Sequence, residues 1–154
     1  MPNTPAAIGQ GITAIVGNTK VTDDQLDLAD DLLQAIGQTV RLTEEAQIDA
    51  VTGVSGSGPA YVFHLIETMA AGGVAQGLPA DLAMKLAKAT VAGAGALAIT
   101  ADETPEQLRI NVTSPNGTTQ AALEVLMDAK FGLPKVVPDA IAAATQRSKE
   151  LGNG

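Results

Sequence analysis

The stretch that most limits how this chain can fold is a helix without a polar side. After Leu78-Pro79 a helical pattern runs from Ala80 to Thr100, and its later half is Ala89, Ala92, Gly93, Ala94, Gly95, Ala96 and Ala98. A helix that is apolar all round is one that is covered all round. Small side chains let a second backbone come close. Tyr61, Phe63 and Phe131 are the only aromatic residues, so rings cannot fill the core. A chain of 154 residues offers little room to bury such a helix alone. A second subunit is therefore expected to cover it. The uncharged run 89–101 is 13 residues, short of the ~20 that span a bilayer, and no membrane segment is expected.

The rest of the pattern is also mainly helical. Ile12 to Val16 reads as a short strand followed by a Gly17-Asn18 turn. Thr22-Asp-Asp-Gln25 is a capping box, and Leu26, Ala29, Leu32, Leu33 and Ile36 repeat behind it at helical spacing, with Gly37 placed for a C-cap. Thr39 to Leu42 is a second strand candidate. Helices are then expected over 44–51, 59–76 (with Gly72-Gly73 as a candidate end), 80–100, 105–111 behind a second capping box at Thr104, and 119–129. A last helix runs to Leu151 from either Pro134 or Pro138. The expected organisation is a β/α segment over 1–43 and an all-helical domain over 44–154.

Two loops carry chemistry. In Val112-Thr-Ser-Pro-Asn-Gly-Thr-Thr119 a Ser-Pro turn leads through Gly117 into a helix. The first amides of a helix have no partner inside it. Together with the helix dipole they suit a small anion such as a carboxylate. Thr118 and Thr119 can cap the helix or face a ligand. Val54-Ser-Gly-Ser-Gly-Pro-Ala-Tyr61 is a second small-residue turn that feeds a helix, and Met1-Pro-Asn-Thr-Pro5 is a third distinctive loop.

In this order and spacing the three loops resemble pyrroline-5-carboxylate reductase, from Met1 to about Leu151. Asp49 to Tyr61 and Asn111-Val-Thr-Ser-Pro115 are the specific matches, and Ala143 to Leu151 supports them. The resemblance implies a helical-bundle dimerisation domain like the C-terminal domain of 6-phosphogluconate dehydrogenase, preceded by a remnant of a Rossmann domain. It implies NADPH- or NADH-dependent reduction of 1-pyrroline-5-carboxylate to L-proline, in homodimers that can assemble into decamers. Carried over by position, Thr119 is the residue whose hydroxyl faces the ring nitrogen. Ser114, Gly117 and Thr118 hold the carboxylate, and Asn111 touches the nicotinamide cofactor. Glu45 is associated with the product amine, although an acid in the first turn of a helix can equally complement the dipole. Asn116 stands where the family has the first glycine of Ser-Pro-Gly-Gly, and Asn tolerates positive φ. Ile110 stands where many relatives are polar.

A Rossmann fingerprint needs strand, G-x-G-x-x-G/A and helix in succession. Gly9 to Ala14 leads into a β-like run, Gly56 to Tyr61 fits only in part, and Gly93 to Ala98 lies inside a helix. The chain is thus expected to be the C-terminal part of such a reductase. The cofactor would be bound mainly by a domain it lacks.

A net charge of −8 argues against a nucleic-acid partner. The absence of cysteine excludes disulfides and thiolate sites. No metal site is expected: His64 is the single histidine, and Asp23, Asp24, Asp27, Asp30 and Asp31 read as a solvated face. Met69, Met84 and Met127 read as packing residues. No signal-like segment opens the chain, and a soluble, cytoplasmic protein is expected. Two other functions stay open. One is a catalytically silent oligomerisation module. The other is a related reductase acting on another cyclic imine or on a β-hydroxy acid; for the latter, Lys85 or Lys88 would have to supply the helical lysine without the neighbouring motif.

Overall fold

The computed structural model describes residues 1–152. The fold is mainly helical with one two-stranded parallel sheet. The backbone forms two compact units, one of Met1–Tyr61 together with the chain from Val137 onward, the other of Val62–Val136.

In the first unit, Thr4–Ile8 forms a 3-10 turn with Pro5 near its start. The sequence pattern gave no sign of it. Strand β1 (Gly11–Ile15) and strand β2 (Gly37–Arg41) pair in parallel from Gly11↔Gly37 to Ile15↔Arg41. Parallel neighbours need a long crossover, and helix α1 (Asp23–Leu33) supplies it. Both halves of the Thr22–Gln25 capping box form, at 3.3 and 3.1 Å. The helix tightens into a 3-10 turn at Gln34–Ile36 before Gly37, whose φ of 142° only glycine adopts with ease. A Cβ at Gly37 would also collide with the backbone of Gly11. Gly37 is therefore both the stop of the helical segment and the point where β2 closes on β1.

The acidic face of α1 is only partly a solvated one. Arg41 reaches back from β2 to Asp27 at 2.7 Å and Asp30 at 2.8 Å, and the Thr39 hydroxyl donates to Asp30. These bonds, Thr39 first and Arg41 next, hold the Asp30 carboxyl below its ordinary value of 3.8.

Helix α2 (Gln47–Val51) starts later than its pattern suggested. The Gln47 side chain accepts the amides of Thr43 and Glu44 at 3.0 and 3.1 Å, which fixes the entry to the helix at Gln47. Glu45 consequently sits in the turn before α2, not in its first turn. A π-helical turn, Thr52–Gly56, follows. Thr52 and Ser55 donate to the carbonyls of Ile48 and Val51 four residues back, bonds that bend helices.

Within this turn Gly53 is buried against helix α7 (Leu133–Gly152). A Cβ there would collide with Thr145 Oγ1 and stand 3.0 Å from the Ile141 carbonyl. Ser148 Oγ donates to Asp49 at 2.6 Å, and Tyr61 Oη donates to the Gly53 carbonyl at 3.0 Å. Of the two prolines, Pro134 marks the start of α7, and Pro138 lies inside it.

In the second unit, α3 (Gly58–Ala75) runs straight through Gly72-Gly73. It ends at Gly77, φ 95°, where Gly77 N donates to Val74 O and Leu78 N to Gly73 O at 2.9 and 3.1 Å. This is a Schellman motif. Gly73 lets α3 approach Ala83 of helix α4 (Ala80–Thr100), since a Cβ would stand 3.2 Å from the Ala83 Cβ. The buried cluster is Ala70, Ala83 and Ala87, with Ile66 and Met84 packed on it. Met84 packs as expected, whereas Met69 and Met127 are exposed at 39% and 47%. Only 11% of the apolar window of α4 is buried, and its mean hydropathy of 1.4 makes it long and apolar enough to cross a membrane. The 13-residue uncharged run understated this, because the window tolerates Lys85 and Lys88. Helices α5 (Pro105–Asn111) and α6 (Thr118–Leu126) complete the unit. Helix α6 stops short of Ala129 because the Asp128 carboxylate takes the amides of Lys130 and Phe131 at 2.7 and 3.2 Å.

Candidate anion site at the start of helix α6

Helix α5 closes on its own side chains. Thr113 Oγ1 donates to the Arg109 carbonyl at 2.6 Å and Thr113 N to Ile110 O at 3.0 Å. A four-residue turn follows, with Gly117 N donating to Ser114 O at 3.0 Å. Pro115 is its second residue and Asn116, at φ 58°, its third. Proline then a residue of positive φ is the signature of a type II turn. Asn116 is the one non-glycine residue of positive φ among the described residues. The turn thus survives asparagine in place of glycine. Gly117 serves a different need: its φ is −87°, but a Cβ would collide with Ser114 Oγ and lie 3.0 Å from Ser114 O.

Gly117 is the N-cap of α6 and offers no side chain. The amides of Thr118, Thr119 and Gln120 at the first turn therefore lack an intrahelical acceptor. Helices α1 and α5 differ, since Thr22 and Thr104 oxygens accept the third amide of each. Helix α6 thus presents bare amides and the positive end of its dipole. Ser114 and Thr118 are exposed, while Gly117 and Thr119 are half-buried. The Thr119 hydroxyl has no hydrogen bond among the described residues.

The structure brings Ser114, Gly117, Thr118 and Thr119 together at this bend. Asn111 is the last residue of α5, and its Oδ1 accepts from Gln107 Nε2 at 2.8 Å, which leaves its own amide group as a donor. That donor suits the carbonyl of a carboxamide. Glu45 belongs to the other compact unit and is exposed. His64 is an exposed helix residue, its Nδ1 3.0 Å from Glu67. Of the three glycine-rich stretches, Gly9 to Ala14 runs into β1, Gly56 to Tyr61 joins the π-turn to α3, and Gly93 to Ala98 lies within α4. None follows a strand and opens a helix as a phosphate loop must.

One participant lay outside the sequence reading. Gln120, the third residue of α6, accepts the Asn116 amide on its Oε1 at 2.8 Å. The signal was present: glutamine three residues after an N-cap is half of a capping box. Gln120 also lines an open depression of about 410 Å³ with Arg109, Thr113, Leu123, Glu124 and Met127.

Comparison with known proteins gives the family. A family model described as pyrroline-5-carboxylate reductase dimerisation matches residues 45–151. The chain is 49% identical over 152 residues to a pyrroline-5-carboxylate reductase of Synechocystis, covering 99% of this chain and 56% of that protein. It is 45% identical over 151 residues to one of Pseudomonas aeruginosa, covering 98% and 55%. Among solved structures, a pyrroline-5-carboxylate reductase of Coxiella burnetii superposes with a TM-score of 0.93 at 38% identity, covering 98% of this chain and 55% of that one. The Plasmodium falciparum enzyme with NADP bound gives 0.85 at 32%, covering 99% and 61%. The chain spans about half the length of the relatives it matches. On the family match and these identities, this chain belongs to the pyrroline-5-carboxylate reductase family.

Proposed function

We propose that this chain supplies the substrate-carboxylate site and the dimerisation helices of a cytoplasmic reductase that converts 1-pyrroline-5-carboxylate to L-proline with NAD(P)H. The observation that carries the reading is the uncapped start of α6 behind the Ser114–Gly117 turn, with the unpartnered Thr119 hydroxyl in its first turn. The substrate is a small ring with one carboxylate and one imine nitrogen. Its carboxylate suits the amides of Thr118 and Thr119 and the Ser114 hydroxyl, where each charge-assisted bond is stronger than a neutral one. The Thr119 hydroxyl then faces the ring nitrogen and orients it. Bound NAD(P)H supplies the hydride. Asn111 offers its side-chain amide to the nicotinamide end of that cofactor. Glu45 is assigned to the product amine on resemblance alone. Fixing the ring is most of the work, and good positioning lowers a barrier by as much as roughly 7–11 kcal/mol.

Homodimers form on this reading through α3 and α4. A second copy covers the apolar surface that would otherwise suit a bilayer, and decamers of such dimers follow from the resemblance only.

The test is Thr119→Ala in a reductase that contains this segment. Losing a bond to a charged nitrogen predicts a fall in kcat/KM of about ten- to a hundredfold, with the oligomer mass unchanged. Full turnover in the variant removes Thr119 from the mechanism.

A second reading has its own support: no phosphate-cradling loop lies among the described residues. By itself the chain would then be a folded but silent oligomerisation module. NADPH oxidation with pyrroline-5-carboxylate, assayed on this chain alone and again within a reductase that restores a nucleotide-binding domain, separates the two. Turnover that appears only with that domain and is lost in Thr119→Ala supports the reductase reading, and turnover that does not depend on Thr119 supports the silent module.

A further inference from the structure

We infer that Gln120 is a positioning residue that holds the Ser114–Gly117 turn in the shape that presents the α6 amides to a carboxylate. The inference rests on the carboxylate site proposed above and names what preorganises it.

Three observations converge. Asn116 sits at φ 58°, a conformation that costs a residue with a Cβ more than it costs glycine. Left to itself, such a residue drifts to extended or right-handed backbone. The restraint comes from Gln120, whose Oε1 accepts the Asn116 amide at 2.8 Å. Gln120 is half-buried, and its Nε2 is directed to Glu124 Oε1 at 3.5 Å, so the amide group is oriented with its oxygen toward the turn.

The bond also differs in direction from a complete capping box. At α1 the third residue, Gln25, takes the Thr22 amide while Thr22 takes the Gln25 amide. At α6 the third residue takes the amide of Asn116, one position before the cap, and nothing is returned, because Gly117 has no side chain. The loop's awkward donor is satisfied, and the helix's own donors stay free. A site that must be empty of protein acceptors yet rigid needs this one-sided arrangement.

The experiment uses the 15N-labelled chain, with L-proline as the carboxylate probe and pyrrolidine as the control that lacks the carboxylate. Gln120→Leu keeps the shape and removes the acceptor. Proline should then bind about fivefold more weakly, the worth of one ordinary hydrogen bond. The Asn116 amide should exchange faster by a similar factor, while the amides of Leu123 and Val125 within α6 are unchanged. Gln120→Glu, which keeps an acceptor oxygen, should restore protection of Asn116. Adding Asn116→Gly to Gln120→Leu removes the cost of positive φ and should return proline affinity to within about twofold of wild type. A merely structural Gln120 would slow or speed exchange along the whole helix and would not be rescued by a change at 116. Wild-type binding with unchanged affinity and unchanged Asn116 exchange in Gln120→Leu overturns the inference and leaves the carboxylate site standing. If wild-type Thr118 and Thr119 amides do not respond to proline, the carboxylate reading fails. The role of Gln120 in binding falls with it, even where the tether shows in exchange.

Discussion

The glycine-rich run Gly53-Val-Ser-Gly56-Ser-Gly58 holds glycines for different reasons, and mutation separates them. Gly53 is needed for packing. A Cβ there meets Thr145 Oγ1 head-on and stands 3.0 Å from the Ile141 carbonyl and 3.3 Å from Ile141 Cγ2. The carbonyl is backbone and cannot swing aside, so overpacking should cost about 3 kcal/mol, the upper part of the usual range. Alanine gains back about 1 kcal/mol over glycine in helical backbone. Gly53→Ala should therefore destabilise by about 2 kcal/mol. Gly58 opens α3 with nothing within 4 Å of its would-be Cβ. Gly58→Ala should stabilise by about 0.5–1 kcal/mol. Urea unfolding of both variants at matched concentration, with unchanged m-values, reads the difference of about 3 kcal/mol. Thr145→Ala added to Gly53→Ala should recover part of the loss but not all, since the Ile141 carbonyl remains. A Gly53→Ala chain as stable as wild type would show that α7 does not press on the π-turn, and the packing account would be abandoned.

Three further outcomes follow. Asp30 has a depressed folded-state pKa, so its contribution is complete above the ordinary value of 3.8 and is lost as pH falls through its lower folded value. Asp30→Asn should thus lie below wild type in Tm at neutral pH, and the gap should close in acid; a gap that persists there would show that lost packing, not charge, is responsible. On the proposed dimer, sedimentation should find no clean monomer at micromolar concentration, and Tm should rise with protein concentration. Addition of sulfate should shift the amides of Thr118 and Thr119 before those at the capped start of α5, and equal shifts at both helices would argue against a selective anion site.

The sequence exposed what repeats or what is chemically distinctive. The capping box at Thr22, the Thr104 cap, the two strands, and the long helices all follow local rules and appear where the pattern puts them, within a few residues, although at Thr104 only half of the expected box forms because the Gln107 side chain turns to Asn111. The same holds for the Ser-Pro turn, because Pro115 presets the second position of the turn and Asn116 tolerates the positive φ of the third. What stayed hidden depends on contacts distant in sequence or on a competing side chain. Gln47 moved the start of α2 by capturing the Thr43 and Glu44 amides. The π-turn at 52–56 depends on α7, more than 80 residues further along, through Gly53. Gly72-Gly73 looks like a helix end, yet Gly73 is an opening for Ala83 and Gly77 makes the stop. Arg41 converted two of five aspartates on a face that reads as plain solvent surface into partners of a strand.

The composition of the second unit gives the proposed dimer a reason in folding itself. Its buried hydrophobic residues are three alanines, and no large side chain in the described chain is fully buried. Burial of an alanine methyl removes little apolar area from water, and stabilisation scales with area at about 25 cal/mol per Å². Ordering a backbone costs about 1–2 kcal/mol per residue. Three alanines with Ile66 and Met84 beside them cannot offset that cost for helices of this length. The apolar area that could offset it is on the outside: Phe63 at 57%, Leu86 at 49%, Leu97 at 52% and Ile99 at 73% exposure, all on α3 and α4. Helices poor in rings and rich in Ala and Gly gain stability when another backbone comes close enough for many small contacts at once. A partner surface of the same composition meets that need, which is why the dependence of Tm on concentration, more than any single substitution, decides whether this unit is a folded domain or half of one.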